Sequence, residues 1–148
     1  MATNSVAISR GAEATSFSQG AVVVLGRFLF VLIFLMAAPN HFAKQTIAFA
    51  ASQGVPLASI AVPLSGVLAI AGGLSILLGY RAKLGAWLLV LFLVPVTLML
   101  HKFWTVQDPM MAQMQMILFM KNVAMLGAAL LISQFGAGPF SLDARRSR

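Results

Sequence analysis

Four apolar stretches, separated by polar or turn-forming segments, set the pattern of this chain. They run from about Ala21 to Ala38, Leu57 to Leu78, Leu84 to Leu100 and Met114 to Ile132. A helix rises 1.5 Å per residue, so about 20 apolar residues cross the hydrocarbon core of a bilayer. Each stretch has roughly that length. Turn chemistry closes them: Pro39-Asn40 after the first, Gly79 after the second, and Gly136, Gly138 and Pro139 beyond the fourth. Pro63 falls near the start of the second stretch and Pro95 inside the third. The pattern predicts an all-α fold, a bundle of four transmembrane helices over residues 21–135 with spans at 21–38, 57–78, 84–100 and 114–132. A polar segment, residues 1–20, precedes it, and a basic tail, residues 136–148, follows.

Two departures from simple alternation change the picture. The loop from Pro39 to Pro56 is long for a helical bundle, and its middle mixes Phe42, Ile47 and Phe49 with Lys44, Gln45 and Thr46. That mixture predicts an interfacial helix in the first outer loop, lying on the membrane surface. The second span places Ser65, Ala69 and Gly73 at intervals of four, with Gly66 and Gly72 beside them. Such a ridge lets helix backbones approach closely. A faint echo also links the outer ends of spans one and three: Leu35-Met36 before His41-Phe42, and Leu98-Met99 before His101 and Phe103. A two-plus-two duplication would account for it, as would chance.

Composition confirms the solvent. The chain of 148 residues is 60% hydrophobic and 9% charged, too apolar to hide its surface from water, since a soluble domain averages about 25% charged residues. The net charge of +7 forms no basic stripe with interleaved aromatics, so nucleic acid is not a partner. The charges instead follow membrane topology. Arg10, Arg81, Lys83, Arg145, Arg146 and Arg148 fall on one side, against Lys44 and Lys102 on the other. The excess predicts that both termini face the cytoplasm. Tyr80 and Trp87 would then mark that interface and Trp104 the opposite one. The first span reads as an uncleaved signal-anchor, because Arg27 interrupts it and no cleavage signature follows.

There is no cysteine, which removes thiolate catalysis, iron–sulfur clusters and Cys-type zinc sites from this chain acting alone. Chemistry must rest on the few polar residues at membrane depth. Arg27 and Lys121 sit inside apolar spans, while all three acids, Glu13, Asp108 and Asp143, lie outside them. An ionisable residue in a span is costly and is a candidate functional group, although snorkelling to the headgroups is the plain alternative for both. Gln115 and Asn122, seven residues apart, share a face of the fourth span that should point into the bundle. Thr97, His101 and Trp104 share a face if the third helix continues that far. His41 and His101, near Met110, Met111, Met114 and Met116, are a candidate soft-metal or haem pair. Interfacial histidines and packing methionines are the commoner reading, and no metal is assigned.

Several short motifs together resemble the DoxX family of small four-helix bacterial membrane proteins. They are Gly26-Arg27, Gln53-Gly54-Val55-Pro56, Ala71-Gly72-Gly73-Leu74 with Leu78-Gly79, His101-Lys102-Phe103-Trp104, Phe119-Met120-Lys121-Asn122, and the tail Phe135 to Asp143. The resemblance covers residues from about 20 to 143 and implies a bacterial inner-membrane location. It also implies a link to quinone-coupled oxidation, with Arg27, His101, Trp104, Lys121 and Asn122 as the polar signature. One departure stands out: Ala69 occupies the place of a glutamate found in many members. The expectation is a subunit or accessory of quinone-linked oxidoreductase chemistry, with no self-contained catalytic motif. It would bind a small hydrophobic or anionic guest, such as a quinone, near Arg27, Lys121, Asn122, Gln115, His101 and Trp104. Its partners would be the bilayer and a redox enzyme, with a homo-oligomer left open. The alternatives are a non-catalytic membrane partner or stress protein, and a small transporter.

Overall fold

The computed structural model describes residues 2–146, with side chains described from Phe17 onward. Every regular element among them is helical. α1 runs Ala2–Ala37, α2 Lys44–Ser52, α3 Ala58–Leu78, α4 Ala82–Leu100, α5 Pro109–Phe135 and α6 Leu142–Arg146. Short 3-10 turns at Ala38–Phe42 and Phe103–Thr105 lead out of the first and third spans. Four segments are long and apolar enough to cross a membrane: Phe17–Phe42, Ala58–Leu78, Ala82–Thr105 and Pro109–Phe135. The polar N-terminal segment is continuous with the first span, since α1 is helical from Ala2. The first long loop is helical at α2, as its mixed pattern predicts.

Packing follows chain order: α1 lies on α3, α3 on α4 and α4 on α5, with α2 and the first 3-10 turn also against α3. Each helix contributes one narrow stripe. On α1 it is Arg27, Val31 and Phe34, continuing to Ala38; on α5 it is Asn122, Ala129 and Ser133. The other faces expose large apolar side chains such as Leu29, Met36, Leu91 and Leu131. In water such faces would aggregate; in lipid they are solvated.

Glycine sets the central seam. A Cβ on Gly72 would come within 2.8 Å of the Gly85 carbonyl oxygen, so α3 and α4 meet nearly backbone to backbone. Gly73 faces Val31 and Leu35 of α1, and Gly66 faces His41 and Phe42. The small-residue ridge therefore serves three neighbours: α4, α1 and the first 3-10 turn.

Candidate functional site

The polar residues gather at the two ends of the bundle. At one end lies the turn between α3 and α4 together with the tail; at the other lie His41 and His101. At the tail end, α4 starts without a capping side chain of its own, because Arg81 occupies its N-cap. Asp143 supplies the cap from a distance of 62 residues in sequence. Its Oδ1 accepts from the Arg81 N–H at 2.8 Å and its Oδ2 from the Ala82 N–H at 3.0 Å. A carboxylate there satisfies orphan donors and meets the positive end of the helix dipole. The Asp143 N–H in turn donates to the Gly79 carbonyl at 2.8 Å.

Arg27 completes this clasp. It is 6% exposed, and its Nη2 donates to the Phe140 carbonyl at 2.9 Å. Its Nε and Nη1 are buried without a hydrogen-bond partner among the described residues. Phe140 packs edge-on against Phe17, 5.6 Å between centroids, and lies over Gly20. Gly79, at φ 63°, leaves room for both Ser141 and the guanidinium. Arg81 and Phe140 are held at positive φ, 48° and 53°, conformations that cost roughly 1–3 kcal/mol each and persist only where surroundings enforce them.

At the other end, His41 Nδ1 lies 2.8 Å from Ser65 Oγ, and Ser65 Oγ donates to the Val62 carbonyl at 2.6 Å. A serine hydroxyl has one proton. Since the carbonyl takes it, the proton between Nδ1 and Oγ belongs to the ring. In neutral His41 the lone pair therefore sits on Nε2. The imidazole rests against Phe92, 5.5 Å between centroids. Beside it is a cavity of about 180 Å³ lined by His41, Thr46, Ser65, Val62, Pro95 and Met99, among others. It lies where α2, α3 and α4 converge.

His101 makes a parallel bond, its Nδ1 2.9 Å from Gln115 Oε1. Each histidine thus joins the exit of an odd span to a polar residue of the next, which matches the echo in the sequence. α4 stops at Leu100, so His101 and Trp104 do not extend its face. Trp104 instead stacks edge-on with Phe103 and Phe119, at 5.1 and 6.0 Å. Lys102 Nζ donates to the Gln53 carbonyl at 3.0 Å, tying that corner to the end of α2. Asn122 is buried on α5, whereas Lys121 beside it is exposed. No group of three or more metal-ligating His, Cys, Asp or Glu side chains occurs among the described residues.

The six residues singled out in sequence are therefore dispersed. Arg27 lies under the tail, His101, Gln115 and Trp104 lie at the far corner, and Lys121 faces outward. The cavity forms instead around His41, Ser65 and Thr46. Ser65 reads in sequence only as a small ridge residue, and nothing local pairs it with a histidine 24 positions earlier. The missing cap at Tyr80-Arg81 is a legible signal that something distant must bind the start of α4.

A family model described as the SURF4 family matches residues 15–148. The inner membrane protein YphA of Escherichia coli (strain K12) is 29% identical over 126 residues, covering 84% of this chain and 89% of that protein. No solved structure matches. With four apolar spans, this similarity makes the chain a multi-pass inner-membrane protein. The resemblance to the DoxX family is corrected by the family match. The motifs behind it are short runs of glycine, aromatic and basic residues at helix ends. Close packing and interfacial anchoring call for such runs in many small helical membrane proteins. The chain belongs to the SURF4 family.

Proposed function

We propose that this protein binds a small, mainly apolar molecule bearing a hydroxyl group in the cavity beside His41. The observation that carries the reading is the Val62–Ser65–His41 relay. It commits the Nδ1 proton to Ser65 and leaves Nε2 as the ring's acceptor, on a histidine that lines an apolar cavity. An acceptor in such surroundings selects a guest that donates, because a buried polar group without a partner is penalised by roughly 1–3 kcal/mol. At about 180 Å³ the cavity is ring-sized, smaller than the roughly 300–1,000 Å³ of drug-sized pockets. A phenol or hydroquinone head matches both requirements. The oxidised quinone, which offers only carbonyl acceptors, does not. In this reading the chain is an accessory to quinone-linked chemistry that holds the reduced form in the membrane.

The test is binding of a short-chain hydroquinone and its quinone to the full chain in phosphatidylcholine nanodiscs. The hydroquinone should bind at least tenfold more tightly, and His41→Phe should remove that preference. Equal binding of the two forms, or an unchanged preference in the variant, would sink the idea.

The orientation that accompanies this reading puts both termini in the cytoplasm. Arg81, Lys83, Arg145 and Arg146, in the α3–α4 turn and the tail, support it through the positive-inside rule. Impermeant thiol labelling should modify Ser52→Cys, and not Arg146→Cys, in intact cells.

A further inference from the structure

We infer that the groove between the α3–α4 turn and the tail holds the phosphate headgroup of an anionic phospholipid. The groove has a volume of about 540 Å³ and is lined by Arg81, Lys83, Leu84, Phe135 and the Gly136–Gly138 turn, with Ser141 and Asp143 at its edge. Its charge is unbalanced. Both oxygens of Asp143, the acid at the site, are engaged by the Arg81 and Ala82 backbone N–H groups. The Lys83 ammonium has no hydrogen bond or ion pair among the described residues. The Arg81 guanidinium rests on the Tyr80 ring at 5.8 Å, and Arg146 approaches the same ring at 5.5 Å. Two cations, Arg81 and Lys83, therefore line one concavity with Arg146 nearby, and no free carboxylate lies among them in the described residues.

The apolar half of the groove distinguishes a lipid from a free anion. Leu84 and Phe135 are 53% and 81% exposed, in the first turn of α4 and at the last residue of α5. They continue from the cations toward the lipid-facing surface, where an acyl chain would run. A phosphate ion would use only the cations, whereas a phospholipid uses both halves. Basic pockets between spans favour anionic headgroups, each Lys or Arg being worth roughly fivefold in affinity.

Trp87 provides the readout, because it is exposed on α4 one turn from Lys83. With Trp104→Phe as background, the full chain is reconstituted into vesicles of phosphatidylcholine containing brominated phosphatidylglycerol or brominated phosphatidylcholine. Quenching of Trp87 then reports which lipid occupies the groove. Brominated phosphatidylglycerol should be preferred by roughly 25-fold, about fivefold for each of Arg81 and Lys83. Lys83→Gln should reduce the preference by roughly fivefold and Arg81→Gln/Lys83→Gln should abolish it. The exchange Arg81→Lys/Lys83→Arg should keep it. Equal quenching by the two lipids overturns the proposal, as does a preference that survives the double Gln change. Loss of the preference in millimolar inorganic phosphate would also overturn it, by assigning the groove to the free ion.

Discussion

Arg27 and Lys121 both interrupt apolar spans, yet the protein surrounds them differently. Arg27 is buried on α1, hydrogen-bonded to the Phe140 carbonyl and covered by the tail. Lys121 lies about 12 residues into α5, about 18 Å along its axis, exposed and without a hydrogen-bond partner among the described residues. The difference lies in what the neighbouring chain supplies. Near Arg27, Gly79 and Gly20 clear space for a folded-back segment; farther along α5 from Lys121, Gly127 meets nothing within 4 Å. A cation inside a span is thus a structural fastener where backbone carbonyls are brought to it. Elsewhere it is left to lipid headgroups or another molecule.

The comparison breaks first at the glycines. Gly79→Val should have the largest effect, about 3 kcal/mol of destabilisation, because its side chain would collide with Ser141 and Arg27 at a positive φ. Gly127→Ala should instead stabilise by about 0.5 kcal/mol, through helix propensity alone. Thermal unfolding in detergent measures both, and similar shifts for the two would erase the contrast. Next comes Asp143→Ala, expected to lose about 2 kcal/mol with the distant cap of α4. Asp108→Ala, which removes only the local bond to the Met111 N–H, should lose about 1 kcal/mol.

Arg27→Lys should have a smaller effect on unfolding, about 1 kcal/mol, since a side chain of shorter reach cannot hold the Phe140 carbonyl as the guanidinium does. It should nonetheless raise proteolysis of residues 136–146 severalfold. Lys121→Met should be the mildest change, within about 0.5 kcal/mol, with tail proteolysis unaltered. If Lys121→Met loosened the tail as Arg27→Lys does, the two cations would belong to one network and the distinction would be wrong.

The spans were legible because apolar length and turn residues act locally. Pro39, Gly79 and Gly136 close helices wherever they occur, and α2 announced itself through its mixed face. The clasp was not legible, because Asp143 and Arg81 meet across 62 positions and each alone reads as a solvated tail or loop charge. The cavity was hidden for the same reason. Ser65 satisfies a local carbonyl and a distant ring at once, and only the packing of the first 3-10 turn against Gly66 brings them together. His101 and Trp104 were displaced from the expected face because the chain leaves helical geometry at His101, where φ is −115°. Family membership misled in a similar way. Motifs shaped by membrane packing carry less identity than their order suggests.

The clasp also imposes a schedule on the making of this protein. α1 emerges from the ribosome before the other spans, and the segment that covers Arg27 emerges after all four. Until Phe140 arrives, the Arg27 guanidinium must be carried through membrane insertion by water, lipid phosphate or insertion machinery. Until Asp143 arrives, the start of α4 is uncapped. The seam between α3 and α4 can close during synthesis, but the first span is fixed only when translation has passed residue 143. A chain truncated shortly before that point would hold the four spans and an unfastened end.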